Sequence, residues 1–346
     1  MSAAADLSHL TFSVLDTAPV WSGSTATEAL RNTMRLAPVA ERLGYHRYWL
    51  SEHHNSDRLA TSSPAVLIGS VARATTSMRV GSGGVLLTNH PPLLIAEQFG
   101  TLEALHPGRI DLGLGRSAGT DAATSTLLRA GMAPADDFEQ KLTELTGYFA
   151  GPAPGRQGNP VKAVPATENH PPIWLLGSSV SSARTAGWLG LPYAYGHQLV
   201  PEGSVAAVRA YRESFRPSPY LDRPYCLLAA FVIAGISDEH AQWLAAPVQL
   251  GFLHVQQTGR FTVYPSAADA ERYRYTPAER DLVDGLFAPQ IIGGPDTIRA
   301  KTRDLMATTG ADELMAVTMV PDPADRLRSY ELLAEVVGLT APAAAA

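Results

Sequence analysis

The sequence predicts an α/β protein built as a closed (β/α)8 TIM barrel with insertions at its C-terminal mouth. Three observations carry that prediction. Short apolar runs alternate with longer amphipathic stretches from end to end; the β-then-α unit recurs eight times in the same order; and no linker or composition break divides the 346 residues. Repeated βα order makes neighbouring strands parallel. An open doubly wound sheet shares that order, but a count of eight favours closure. A single barrel domain over residues 1–340 is expected, with a frayed tail at 341–346.

The first strand covers residues 7–16 and leads into a helix with apolar positions Leu30, Met34, Val39 and Leu43, stopped at Gly44. A second strand runs over 45–52. Ser62 and Ser63 cap the helix that follows, and Pro64 suits its first turn. The third strand, 79–87, precedes a helix over 92–105 that Pro107-Gly108 ends. The fourth, 109–115, has its helix near 138–149. Strands over 173–177 and 193–196 each lead into a helical pattern, 181–189 and 204–215. The seventh strand, 227–236, precedes a helix near 239–257, and the eighth, 313–319, is followed by a closing helix over 325–337. Three segments break the rhythm: a loop-like stretch over 117–137, a Pro/Gly-rich one over 151–172, and 260–289. The last sets Phe261, Tyr264, Tyr273, Tyr275 and Phe287 among charges, the composition of a lid or an interface.

Composition narrows the function. A hydrophobic share of 45% supports a large core without staples, and 17% charged residues, against ~25% in an average domain, disfavours long disordered segments. A net charge of −6 argues against nucleic-acid or anionic-membrane surfaces. The single cysteine, Cys226, excludes internal disulfides, cysteine-type zinc and iron–sulfur ligation, and its apolar setting reads as a core thiol. Residues 1–16 carry neither a basic n-region nor a long apolar core, so a cytoplasmic protein is expected.

In a barrel the working groups sit at the C-terminal ends of the strands. Those ends read Asp16, Glu52-His53-His54, Ser82-Gly83-Gly84, Gly113-Leu114-Gly115-Arg116 and Gly177-Ser178-Ser179. Successive residues of a strand face opposite sides, so His53 and His54 do not readily share a metal ion, and no metal is expected. One of them is either a satisfied buried ring or an inward group acting on a ligand at neutral pH. Gly113–Ala118 matches a dinucleotide fingerprint but lacks the helix directly after it. Gly177, Ser178, Ser179 and Ser182 open a helix whose free N–H groups make an anion site, and Arg116 at the next strand end turns it into a phosphate cradle. Ordinary N-capping is the alternative for those serines. Gly83 and Gly84, in a strand that should be buried, signal either close approach of a ligand or a bulge.

Taken together, Tyr48-Trp49-Leu50-Ser51-Glu52-His53-His54, Val80-Gly81-Ser82-Gly83-Gly84-Val85, Ala96-Glu97-Gln98-Phe99-Gly100-Thr101-Leu102, Pro107–Arg116 and Leu176-Gly177-Ser178-Ser179 resemble the bacterial-luciferase-like flavin-dependent monooxygenases. The resemblance implies a (β/α)8 barrel, a homodimer, and FMN bound at the mouth in its reduced form, FMNH2, delivered by a separate flavin reductase. It implies O2-dependent hydroxylation or epoxidation of an apolar organic substrate, of the kind found in aromatic polyketide antibiotic pathways. By the same resemblance Arg116 holds the FMN phosphate, and Gly177, Ser178, Ser179 and Ser182 complete that site. Gly83-Gly84 matches a cis-linked pair beneath the isoalloxazine ring, and His53 matches the catalytic histidine. Segment 260–289 falls where the family has a mobile lid. Gly115 stands where the light-emitting subunit has a reactive cysteine, so luminescence is not implied. Thr88 replaces a common proline, and Asn55-Ser56-Asp57-Arg58 sets two charges in a loop over the mouth. The same barrel also hosts F420-dependent hydride transfer and non-catalytic flavin binding, which the residues alone leave open.

Overall fold

The computed structural model describes residues 7, 9–129, 138–152 and 159–340. Eight parallel strands close into a barrel: β1 (Thr11–Asp16), β2 (Arg47–Leu50), β3 (Arg79–Ser82), β5 (Ile110–Gly115), β6 (Ile173–Gly177), β7 (Tyr193–Gly196), β8 (Cys226–Ala234) and β10 (Glu313–Val317). Closure comes from β10, which pairs with β1 through Thr11–Glu313 and with β8 through Leu227–Glu313. Two short strands extend this frame. β4 (Val85–Leu86) pairs with β5, and β9 (Ile291–Gly293) pairs with the far end of β8.

The helices α1 (Ala26–Arg42), α2 (Pro64–Ala74), α3 (Pro92–Leu105), α5 (Phe138–Ala150), α6 (Val180–Trp188), α7 (Ser204–Ser214), α8 (Asp238–Thr258) and α12 (Pro323–Val337) follow the strands in turn. Local chemistry sets their limits. Thr25 and Glu28 form a capping box at the start of α1, and Gly259 and Gly338 end α8 and α12 in the left-handed conformation. Among the described residues no helix is long and apolar enough to cross a membrane.

Four departures from the sequence reading stand out. The third strand is two pieces, β3 and β4, separated by a cis peptide between Gly83 and Gly84. The stretch expected as a loop over 117–137 contains α4 (Ala122–Leu128), because Asp121 accepts a hydrogen bond from Thr124 N at 3.0 Å and caps it. Segment 260–289 carries α9 (Ala267–Arg272) and α10 (Pro277–Phe287), opened by the capping boxes Ser266/Asp269 and Thr276/Glu279. A further helix, α11 (Pro295–Thr309), had a legible frame in Pro295 and Gly310 but was missed. The tail at 341–346, the end of 117–137 from residue 130, and 153–158 lie outside the described residues.

The floor of the barrel is a charged plug rather than an apolar one. Arg47 pairs with Glu313 at 2.9 Å and with Asp111 at 2.8 Å, while Arg79 reaches Asp111 at 2.6 Å. Two cations meet two carboxylates, so no buried charge is left alone. Burial pushes the Asp111 carboxyl up, but Arg47 and Arg79 outweigh it and hold the group below the usual range. Trp174 lies against the Arg47 guanidinium at 4.7 Å, and Trp49 Nε1 donates to Asp111 at 3.0 Å. Above this layer the interior turns apolar.

Candidate active site

A cavity of about 840 Å3 opens at the C-terminal ends of the strands. That size lies in the range of cofactor and substrate sites, ~300–1,000 Å3. His53, Gly83, Gly84, Arg116, Gly177, Ser178, Ser179 and Ser182 all line it. Asp16, also at a strand end, does not. Its carboxylate is buried and takes hydrogen bonds from Arg326 at 2.8 Å, from Thr33 at 2.7 Å and from Tyr48. It anchors α12 and α1 to the barrel.

One wall of the cavity suits a phosphate. Ser179 is the N-cap of α6 and its hydroxyl accepts from Ser182 N at 3.2 Å. Ser182 Oγ is held in turn by Ser179 O at 2.9 Å and Tyr193 OH at 2.9 Å. The N–H groups of Val180 and Ser181, in the first turn, have no intrahelical acceptor. Arg116, at the end of neighbouring β5, is exposed and makes no side-chain hydrogen bond or ion pair among the described residues. A free guanidinium beside unpaired first-turn amides fits the phosphate of a bound FMN.

The floor of the cavity needs its glycines. A Cβ at Gly83 would come within 2.7 Å of Leu15 Cδ1, and one at Gly84 within 2.8 Å of Gly113 O. Gly113 is equally tight, since its own Cβ would strike Ser82 O. Ser82 Oγ bridges these strands, accepting from Gly113 N at 3.0 Å and donating to Gly113 O at 2.9 Å. Neither Gly83 nor Gly84 has room for a side chain without moving Leu15 or the Gly113 backbone.

β2 ends at Leu50, so Glu52, His53 and His54 lie in the loop beyond it, and strand alternation does not govern them. They diverge all the same. His53 faces the cavity, its amide bonded to Thr61 O at 2.8 Å and its Nδ1 3.2 Å from Ser51 Oγ, which meets Thr61 Oγ1 at 2.7 Å. Burial, and then the nearby Arg58 cation, push the His53 imidazole down to about 4, so it is neutral at physiological pH. His54 turns away to Glu52, whose carboxylate also holds His90 and Leu86 N. Burial pushes the Glu52 carboxyl up, but the bonds from His90, His54 and Leu86 outweigh it and keep the group below its ordinary value. Glu52, His54 and His90 bring three ligand-type atoms together within 4.8 Å, yet hydrogen bonds between them already account for that approach.

Several lining residues were not singled out in the sequence. Ser51, with Thr61 behind it, orients His53, and Phe231, Phe252, Met315 and Met319 line the cavity with apolar side chains beside Tyr264 of the aromatic segment 260–289. Phe231, Met315 and Met319 carry no sequence signal beyond apolar character in strands seven and eight, and Phe252 none beyond that in the helix after strand seven, which a packed core shows equally.

The comparisons with known proteins bear on the family of the chain. The family model described as luciferase-like monooxygenase matches residues 10–313. The chain is 46% identical to the uncharacterized protein YvbT of Bacillus subtilis over 324 residues, 94% of this chain and 96% of the relative. A luciferase-like monooxygenase of Escherichia coli K12 is 40% identical over 94% of this chain and 97% of its own length. Among solved structures, apo-MsnO8 superposes with a TM-score of 0.87 at 38% identity, covering 96% of this chain and 99% of that one. A cavity with a phosphate wall, a glycine floor and an inward histidine, on a chain so matched, has one reading: the chain belongs to the luciferase-like monooxygenases, FMN-dependent enzymes that oxygenate organic substrates.

Proposed function

We propose that the chain is the oxygenating component of a two-component system, with a separate reductase supplying FMNH2, and that it hydroxylates or epoxidises an apolar, polyketide-like substrate. The observation that carries this reading is the division of one cavity into a phosphate-binding wall and an apolar wall, with His53 between them. Arg116, Ser178, Ser179 and the first turn of α6, braced by Gly177 and Ser182, hold the FMN phosphate. Gly83 and Gly84, with no side chains, would leave room for the ring system. Reduced FMN supplies the two electrons needed to activate O2 and place one oxygen atom on the substrate. His53, neutral and fixed through Ser51 and Thr61, gives or takes a hydrogen bond at the reacting oxygen and moves a proton there. Phe231, Phe252, Met315 and Met319 exclude water and hold the carbon body of the substrate.

A homodimer is part of the same proposal. Val66 on α2 and Leu94 and Leu105 on the adjacent α3 are exposed apolar side chains, which self-association would cover. Sedimentation velocity at micromolar concentration should give a dimer; a monomer would remove this part. The central test is anaerobic titration with FMNH2, followed by mixing with O2 in the presence of a polycyclic phenol. Product formed in proportion to oxygen consumed supports the assignment. Tight FMNH2 binding without oxygen consumption would overturn it.

A further inference from the structure

Arg58 is a cation with no counter-charge paired to it among the described residues. Its side chain lines the cavity together with His53, yet its guanidinium makes no hydrogen bond and no ion pair among the described residues. Three aromatic faces surround it instead: Phe261 at 4.4 Å, Tyr264 at 5.0 Å and Phe252 at 5.8 Å. Cation–π contact offsets part of the cost of removing a guanidinium from water, but leaves every N–H donor unused. Burial accordingly pushes the Arg58 guanidinium down, the direction of a cation short of counter-charge.

The residue is held in place. Val20 N donates to Arg58 O at 2.9 Å, Tyr264 N donates to Val20 O at 3.0 Å, and Leu59 bridges to Pro19. Backbone bonds thus join the loop after β1, the loop after β2 and the segment carrying Tyr264. Around the barrel this corner lies by β1, β2 and β8, across from the β5–β6 edge that bears Arg116 and α6. The two cations of the cavity that are free among the described residues therefore stand at different ends of it.

We propose that Arg58 is a carboxylate-binding subsite, so that the organic substrate is an acid whose apolar body lies along Phe231, Phe252 and Met319 and whose carboxylate pairs with the guanidinium. This deepens the reading of the cavity as a flavin-and-substrate site and rests on it. A planar guanidinium offers two parallel N–H donors matched to a carboxylate, and three aromatic side chains pack against it. Desolvation makes that pair stronger than it would be at the surface. The substrate then docks in one orientation, with its carbon skeleton toward His53.

The test is calorimetric titration of the full chain, with and without bound FMN, using anthracene-2-carboxylate and its isosteric neutral partner anthracene-2-carboxamide. Wild type should bind the acid about ten- to a hundredfold more tightly than the amide, the scale of one charge-assisted pair. Arg58→Met should lose that preference while binding the amide as before, and Arg58→Lys should keep part of it. FMN affinity should stay within about threefold in both variants, since the phosphate is held at the other end. Equal affinity of wild type for acid and amide, no binding of either probe, or an unchanged preference in Arg58→Met would overturn the proposal. A large loss of FMN affinity in Arg58→Met would also overturn it, by assigning the residue to the flavin. Absence of FMN binding to wild type would instead count against the flavin reading, and the titrations without FMN still decide the role of Arg58.

Discussion

Glu52 Oε1 accepts a hydrogen bond from His90 Nε2 at 2.7 Å and, at the same distance, one from His54 Nε2. With Leu86 N donating to Oε2 at 3.0 Å, one buried carboxylate ties the loop after β2 to the backbone that carries Gly83 and Gly84. Glu52→Gln sets an amide nitrogen against donors on either side. It should destabilise the fold by about 2–3 kcal/mol, measured by urea unfolding at pH 7. The folded carboxyl sits below its ordinary value of 4.5, so the Glu52 contribution is complete above that value and is lost as pH falls through the lowered one. The difference between wild type and variant should therefore shrink in acid.

Arg116 should matter to FMNH2 and not to riboflavin. Arg116→Ala removes a charge-assisted contact of about 1.5–3 kcal/mol, weakening reduced-FMN binding about ten- to a hundredfold. Riboflavin, without the phosphate, should bind the variant almost as well as wild type. Equal losses for both flavins in anaerobic titrations would place the guanidinium elsewhere.

His53 and His54 are internal controls for one another. His53→Ala should still bind FMNH2 but release most consumed oxygen as hydrogen peroxide, with product formation down ~10²–10⁴-fold, the usual weight of a general acid or base. His54→Ala, which cuts one bond to Glu52, should lower thermal stability and leave product per O2 nearly unchanged. The ratio of product to oxygen in the two variants decides.

The titration of His53 is a separate prediction. Its ring should take up a proton only at about pH 4, against an ordinary 6.5, because burial and then Arg58 oppose the charge while Glu52 favours it and His54 opposes it. The unfolded chain binds that proton from about pH 6.5 downward, so falling pH through this window costs folded-state stability. Followed by NMR at the His53 Cε1 proton, the midpoint should rise in Arg58→Met. An unchanged midpoint would mean that burial acts alone.

Gly113→Ala tests the close approach of β3 and β5. The new methyl would strike Ser82 O, a backbone atom that cannot rotate away. The variant should lose about 3 kcal/mol or more of stability and bind FMN poorly, since Gly84 lies against the carbonyl of Gly113 itself.

Eightfold βα order was enough to read the barrel, because apolar periodicity reports burial directly. The strand-end motifs were legible for a related reason: glycines at 83, 84 and 113, an arginine at 116 and serines before α6 are expensive or idle in an ordinary core. α4 and α9, of seven and six residues, were hidden because they are short and set by caps, and α10 because its capping box lies inside a segment read as a lid or an interface. α11 was hidden differently, between a three-residue strand and β10, where no strand signal announced a new unit. Arg58 was visible only as a charge. Its partners, Phe252, Phe261 and Tyr264, lie some two hundred positions away, and no local pattern links them.

The charged layer of Arg47, Arg79, Asp111 and Glu313 makes the barrel a blind well. Under the proposed function, cofactor, oxygen and organic substrate would share the mouth at the strand ends. Whichever molecule lies deepest must arrive first and depart last.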